Sequence, residues 1–123
     1  MNLARLIPRI LLGLVFTVFG LNGFLHFLPM PPMSGPPADF FGALFATHYM
    51  LMLIFGAQVL GGVLLLVGIF VPFALVVLAP IVLNIVCFHL YLAPSGLPLA
   101  IIVVILELWL AWSYREKFAP LFS

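Results

Sequence analysis

The stretch from Gln58 to Asn84, QVLGGVLLLVGIFVPFALVVLAPIVLN, is almost wholly apolar and breaks only at Gly68-Ile69-Phe70-Val71-Pro72. It reads as the end of one membrane helix, a tight turn and most of the next. Such a hairpin has no face for water, so the chain around it must also live in lipid. Composition agrees: 67% of the 123 residues are hydrophobic and 6% are charged, against about 25% charged in soluble domains. A soluble chain this short cannot hide so much apolar surface. At about 20 apolar residues per span, there is room for four spans. The expected fold is an all-α four-helix transmembrane bundle forming one domain over residues 1–123.

The spans are predicted at about 5–27, 48–69, 72–92 and 98–114. The N-terminus imitates a signal peptide, with Arg5 and Arg9 before an apolar run. It lacks an A-x-A-type cleavage site, and the run is long enough to span, so it is read as the first helix. Residues 28–38, LPMPPMSGPPA, hold five of the eleven prolines and are read as non-helical. Asp39 then caps the segment FFGALFAT, whose Phe40, Phe41, Leu44 and Phe45 share one helical face. That segment is read either as a short helix lying in the interface or as an ordered loop that only connects. Pro80 inside the third span frees the Val76 carbonyl and predicts a kink. Gly13, Gly20, Gly61 and Gly62 read as small residues that let helix backbones approach. They are not a phosphate loop, because no strand precedes them.

Arg5 and Arg9 flank one terminus of the bundle, and Arg115 and Lys117 the other. Positive charge stays cytoplasmic, so both termini are expected inside, which four spans satisfy. Tyr49 and Tyr91 then fall at the outer interface, Trp112 and Tyr114 at the inner one. No basic patch points to nucleic acid. Cys87 is the single cysteine, so neither an intramolecular disulfide nor a CxxC redox pair exists.

The polar side chains inside the spans are few: Asn22 and His26 in the first, Gln58 in the second, Asn84 and His89 in the third, Glu107 in the fourth. Helical rise puts them about 9, 3, 15, 12, 5 and 15 Å below the outer helix ends, in that order. All four helices thus contribute to one belt between the outer mouth and the middle, with Asn22 and His26 one turn apart on one face. The functional reading is a polar pocket, open outward, that binds a small molecule. The structural reading is interhelical hydrogen bonding by amides and imidazoles. Glu107 would need a partner at that depth. It is either a neutral acid donating to an amide such as Asn84 or Gln58, or an anion beside a charged histidine, and its depth favours the amides. His26, His48 and His89 all lie near the outer face but show no metal-ligand spacing, so no metal site is assigned. His26 and His89 as a haem pair would sit too shallow. Met30 and Met33 are soft copper-type ligands or loop hydrophobes.

The runs ARLIPRILLGLVFTVFGLNGFLHFLPMPPM, QVLGGVLLLVGIFVPFALVVLAP and FHLYLAPSGLPLA resemble the DoxX family of small bacterial membrane proteins, over nearly the whole chain. The most specific parts are Gly61-Gly62 with the following leucines and Gly68, the Leu28–Met33 loop, and His89 in FHLYLAP. The resemblance implies a four-helix membrane bundle, and the family name comes from a subunit associated with a quinol-oxidising respiratory complex. Many members carry a glutamate where this chain has Gln58, and thiol–quinone oxidoreductases built on similar bundles carry a CxxC that it lacks. Residues and resemblance together give the expected function. It is a non-catalytic or accessory subunit of the bacterial inner membrane that binds a small apolar ligand such as a quinone for a redox system, through Asn22, His26, Gln58, Asn84, His89 and Glu107. Its partners on this reading are the bilayer, the ligand, and a redox subunit or further copies of itself. The alternatives are a small-solute transporter or channel, weakened by the absence of Gly/Pro-interrupted repeated halves, and a structural assembly factor without a ligand.

Overall fold

The computed structural model describes residues 3–27 and 34–122, which form helices and turns with no strand among them. The helices are α1 (Leu3–Leu25), α2 (Pro36–Ala46), α3 (Met50–Val67), α4 (Val71–Tyr91), α5 (Leu97–Ser113) and the single turn α6 (Arg115–Phe118). A 3-10 turn, Pro94–Gly96, leads into α5, and another, Ala119–Phe122, follows α6. α1, α3, α4 and α5 with its leading turn are each long and apolar enough to cross a bilayer. In each, no more than 28% of the most apolar window is buried inside the protein. The rest of that surface faces outward, far beyond what a soluble monomer exposes. The chain is an integral, multi-pass membrane protein.

Local chemistry sets the helix ends. α1 stops at Leu25, because His26 turns into the left-handed region (φ 54°) after its N–H donates to the Asn22 carbonyl at 2.8 Å. α3 ends at Gly68, whose φ of 87° suits a residue without Cβ. The N–H groups of Gly68 and Ile69 both donate to the Leu64 carbonyl there, at 2.8 and 3.3 Å. Two residues later Phe70 (φ 50°) starts α4, with Pro72 in its first turn. α4 is continuous through Pro80, whose ring lies on the exposed side.

The connection between α1 and α3 differs from the expectation over 36–38. α2 begins at Pro36, so Pro36 and Pro37 are its first residues and Asp39 lies inside its first turn rather than capping it. The reason is that a first-turn N–H has no intrahelical acceptor, so proline loses nothing there and its fixed φ suits the helix. Residues 28–33, with Met30 and Met33, lie outside the described residues. Of the two readings of FFGALFAT, the helix is the one observed. Phe40 and Phe41 pack on Phe88 of α4, tilted and edge to face, with ring centroids 5.5 and 5.2 Å away, while α2 also touches α3.

The four long helices form a ring in which α1 packs on α3, α3 on α4, α4 on α5 and α5 on α1. In lipid there is no hydrophobic gain from bringing apolar helices together, so close packing must hold them. The glycines supply it. A Cβ on Gly62 would stand 2.5 Å from Thr17 Oγ1 and 2.6 Å from its nitrogen, and one on Gly13 would meet the Gly62 carbonyl at 3.0 Å. Gly61, one residue on, faces the other neighbour, where a Cβ would lie 2.6 Å from Leu78 Cγ. The Gly61-Gly62 pair therefore brings α3 against α1 and α4 at once. Leu12, Phe16, Leu65, Leu75, Leu78 and Leu110 are fully buried in the core between the helices.

Both described termini lie at one end of the ring. Arg5 donates to the Ser113 carbonyl, lies 3.6 Å from Glu116 and stacks 4.0 Å above the Tyr114 ring. Trp109 Nε1 donates to the Ala4 carbonyl at 2.7 Å. The Arg9 guanidinium rests against Gly68, at the carbonyl end of α3, where a cation is favoured. Arg115 covers the Trp112 ring at 4.5 Å. All four Lys and Arg residues thus sit at this basic end. The three histidines and the exposed Tyr49 and Tyr91 sit at the opposite end.

Candidate functional site

At the histidine end a cleft of about 270 Å³ opens between the end of α1, the end of α2 and the start of α3. Its walls are mainly apolar and aromatic, with Phe24, Phe45, Tyr49, Met52 and Phe55 among them. Phe24 and Phe55 meet edge to face at 6.3 Å, and Gly23 lets the α1 backbone lie directly on the Phe55 ring. Two imidazoles, His26 from the end of α1 and His48 from the α2–α3 turn, line the same cleft. Both are exposed, and both hold a left-handed backbone, at φ 54° and 68°. This conformation is costly for a residue with a Cβ and is over-represented at ligand sites. Thr47 fixes the turn that presents His48. Its hydroxyl donates to the Leu44 carbonyl at 2.7 Å and accepts from the N–H groups of Met50 at 3.0 Å and Tyr49 at 3.4 Å.

The expected belt of six polar residues separates into four places. Asn22, Gln58 and Glu107 point inward and are 7–8% exposed. Gln58 lies on the α1–α3 seam, where a Cβ on Gly20 would meet its own Cβ at 3.0 Å. Glu107 continues the buried stripe Ala100, Val103, Leu110 of α5. Its Oε1 is buried with no hydrogen-bond partner among the described residues, so the expected hydrogen bond from the neutral acid to an amide does not form at that oxygen. Thr17 Oγ1, a residue the sequence did not single out, is likewise buried without a partner beside Gly62.

Asn84 is exposed on the outer face of α4, and its placement in an inward pocket is corrected. Depth along a helix can be counted from sequence, but rotation about its axis cannot when the helix is apolar on all sides. Asn22 and His26 do not share a face either, since the helix ends between them: Asn22 is buried and His26 exposed. His89 stands apart from the cleft. Its Nδ1 is 3.1 Å from the Ala93 carbonyl, its ring meets Phe88 edge to face, and it lies flush against Gly96. It braces the α4–α5 turn. His26, His48 and His89 therefore do not converge, and no three His, Cys, Asp or Glu side chains among the described residues are grouped to hold a metal.

What the cleft offers chemically is an aromatic slot with two imidazoles, each able to donate or accept a hydrogen bond. Its volume is close to the lower bound of about 300 Å³ for small-molecule sites. That suits one ring and its polar substituents better than a large ligand. Sequence reasoning weighed His48 only as one of three outer-face imidazoles without metal-ligand spacing; the signal for its place in the cleft was its position beside Thr47, which caps the turn. Set against known proteins, the chain matches no family model, no curated protein and no solved structure.

Proposed function

We propose that the protein is an accessory subunit of the bacterial inner membrane, of the DoxX type, that holds a small apolar ligand with a polar ring for a redox partner. A quinone has that chemistry: a flat ring for the aromatic walls and two carbonyl acceptors for imidazole donors. The observation that carries this reading is that His26 and His48, from different helix ends, line one aromatic cleft. The orientation with both termini cytoplasmic draws its support from the gathering of Arg5, Arg9, Arg115 and Lys117 at the end opposite that cleft. The cleft then opens toward the outer leaflet, where a lipid-soluble ligand reaches it from the side. A transport reading has less support, since fully buried leucines and Phe16 fill the space between the helices.

The test is purification in mild detergent followed by mass spectrometry of extracted small molecules. The wild type is expected to carry near-stoichiometric quinone, and His26→Leu/His48→Leu to carry less than a tenth of it. A wild type without ligand that passes solute in liposomes returns the transport reading. One that does neither returns the assembly-factor reading.

A further inference from the structure

Asn84 is a carboxamide seven residues before the end of α4, about 10 Å into the span by helical rise. It is exposed, and no hydrogen bond to its side chain forms among the described residues. At that depth the surroundings are acyl chains, which offer neither donor nor acceptor. One turn deeper, Pro80 has no N–H, so the carbonyl of Val76 lacks its helical donor. Val76 and Pro80 are exposed as well. Phe73, Val76, Pro80, Asn84, Cys87 and Tyr91 recur at three- and four-residue steps and make one outward stripe along α4. α2 covers the flank of this helix at Phe88 and leaves the stripe open.

We infer that this stripe is where a second copy of the chain docks, with the two Asn84 carboxamides hydrogen-bonded to each other. The occupant follows from complementarity. A carboxamide carries both donor and acceptor, so it satisfies its own image across a twofold axis, where a patch meets itself. Copies inserted with one topology present Asn84 at one depth, which an unrelated helix would match only by coincidence. Small or flat residues at Pro80 and Cys87 let the two α4 backbones approach, as membrane helix pairs require. The stripe lies on a different helix from the cleft, so the pairing is independent of the ligand reading.

The chain carries a built-in reporter, because Cys87 is its single cysteine, is exposed, and lies three residues from Asn84 on the same stripe. Full-length protein in dilute liposomes is treated with a short bismaleimide cross-linker, and pairing is also followed by energy transfer between labelled copies. The wild type is expected to give covalent dimers through Cys87. Asn84→Gln keeps them, since the amide is retained. Asn84→Leu raises the dimer dissociation constant by about fivefold to thirtyfold, the range for interhelical amide bonds in model peptides. Helix content and thermal midpoint are expected to stay unchanged, because leucine suits a lipid-facing position; Asn84→Ala serves as the second variant. A wild type that stays monomeric at every protein-to-lipid ratio overturns the inference. So do Leu and Ala variants that pair as tightly as the wild type.

Discussion

Gly62 of α3 lies against Thr17 of α1 so closely that a single added carbon would stand 2.5 Å from the threonine hydroxyl oxygen. That contact, repeated at Gly13 and on the other side at Gly61, sets how near the spans approach. Gly62→Ala is therefore expected to destabilise the bundle by about 1–3 kcal/mol, the usual cost of overpacking, and Gly62→Val by more. Gly56 provides the control, since it lies on the same helix with nothing within 4 Å of a Cβ. Gly56→Ala should be neutral or stabilising by up to about 1 kcal/mol. Denaturant titration in one detergent compares the two, and equal effects would remove the packing argument.

The cleft histidines make a prediction of opposite sign for stability and binding. At φ 54° and 68° a residue with a Cβ is strained by about 1–2 kcal/mol, and glycine is not. After the extra chain entropy of glycine, His26→Gly and His48→Gly should each raise stability by a few tenths to about 1 kcal/mol. Each should also lower ligand content. Thermal midpoint and extracted ligand are read on the same samples. A variant that is both less stable and fully loaded would show that the backbone geometry serves folding rather than the ligand.

Glu107 lies between Val103 and Leu110 with a buried carboxyl oxygen that has no partner among the described residues. Removing a polar group that is not satisfied is neutral or favourable, provided the volume is kept. Glu107→Leu should therefore match or exceed the wild type in thermal midpoint, and Glu107→Gln should fall no more than about 1 kcal/mol below it. Since Glu107 does not line the cleft, ligand content should be unchanged in both. A Leu variant that loses ligand would move the site from the cleft to the bundle interior.

The latch at the basic end is mostly in reach of solvent, with Arg5 and Glu116 side chains 37% and 57% exposed. Exposed ion pairs contribute about 0–1 kcal/mol. Glu116→Ala should be silent in a stability measurement. Arg5→Ala also loses the Ser113 hydrogen bond and the Tyr114 stacking and should cost more, about 1–2 kcal/mol. Equal losses from both variants would place the energy in the ion pair instead.

Much of the architecture was legible because lipid demands long apolar runs and allows few shapes. The expected span limits lie within about two residues of the observed helices, and Gly61-Gly62 acts as the small-residue pattern foretold. The face each helix turns inward was not legible. α3 and α4 are apolar on all sides, so nothing in their sequence says that Gln58 points in and Asn84 points out. The site suffered most from this, because a belt built on depth alone merged four separate environments. His26 shares no face with Asn22 for a second reason. A left-handed residue at a helix end redirects its side chain, and no pattern around Leu25-His26-Phe27 announces it. The Pro36-Pro37 start of α2 was readable in principle, since proline at first helical positions is favoured. The density of prolines before it masked the signal.

The most direct test of the account uses the fact that the chain has three histidines. Imidazole nitrogen and proton resonances of His26, His48 and His89 can be followed by NMR in detergent micelles while a short-chain benzoquinone is titrated in. Saturable shifts are expected for His26 and His48, with His89 unmoved, because it sits against Gly96 and outside the cleft. Shifts at His89 alone, or at none of the three, would contradict a ligand site between α1, α2 and α3.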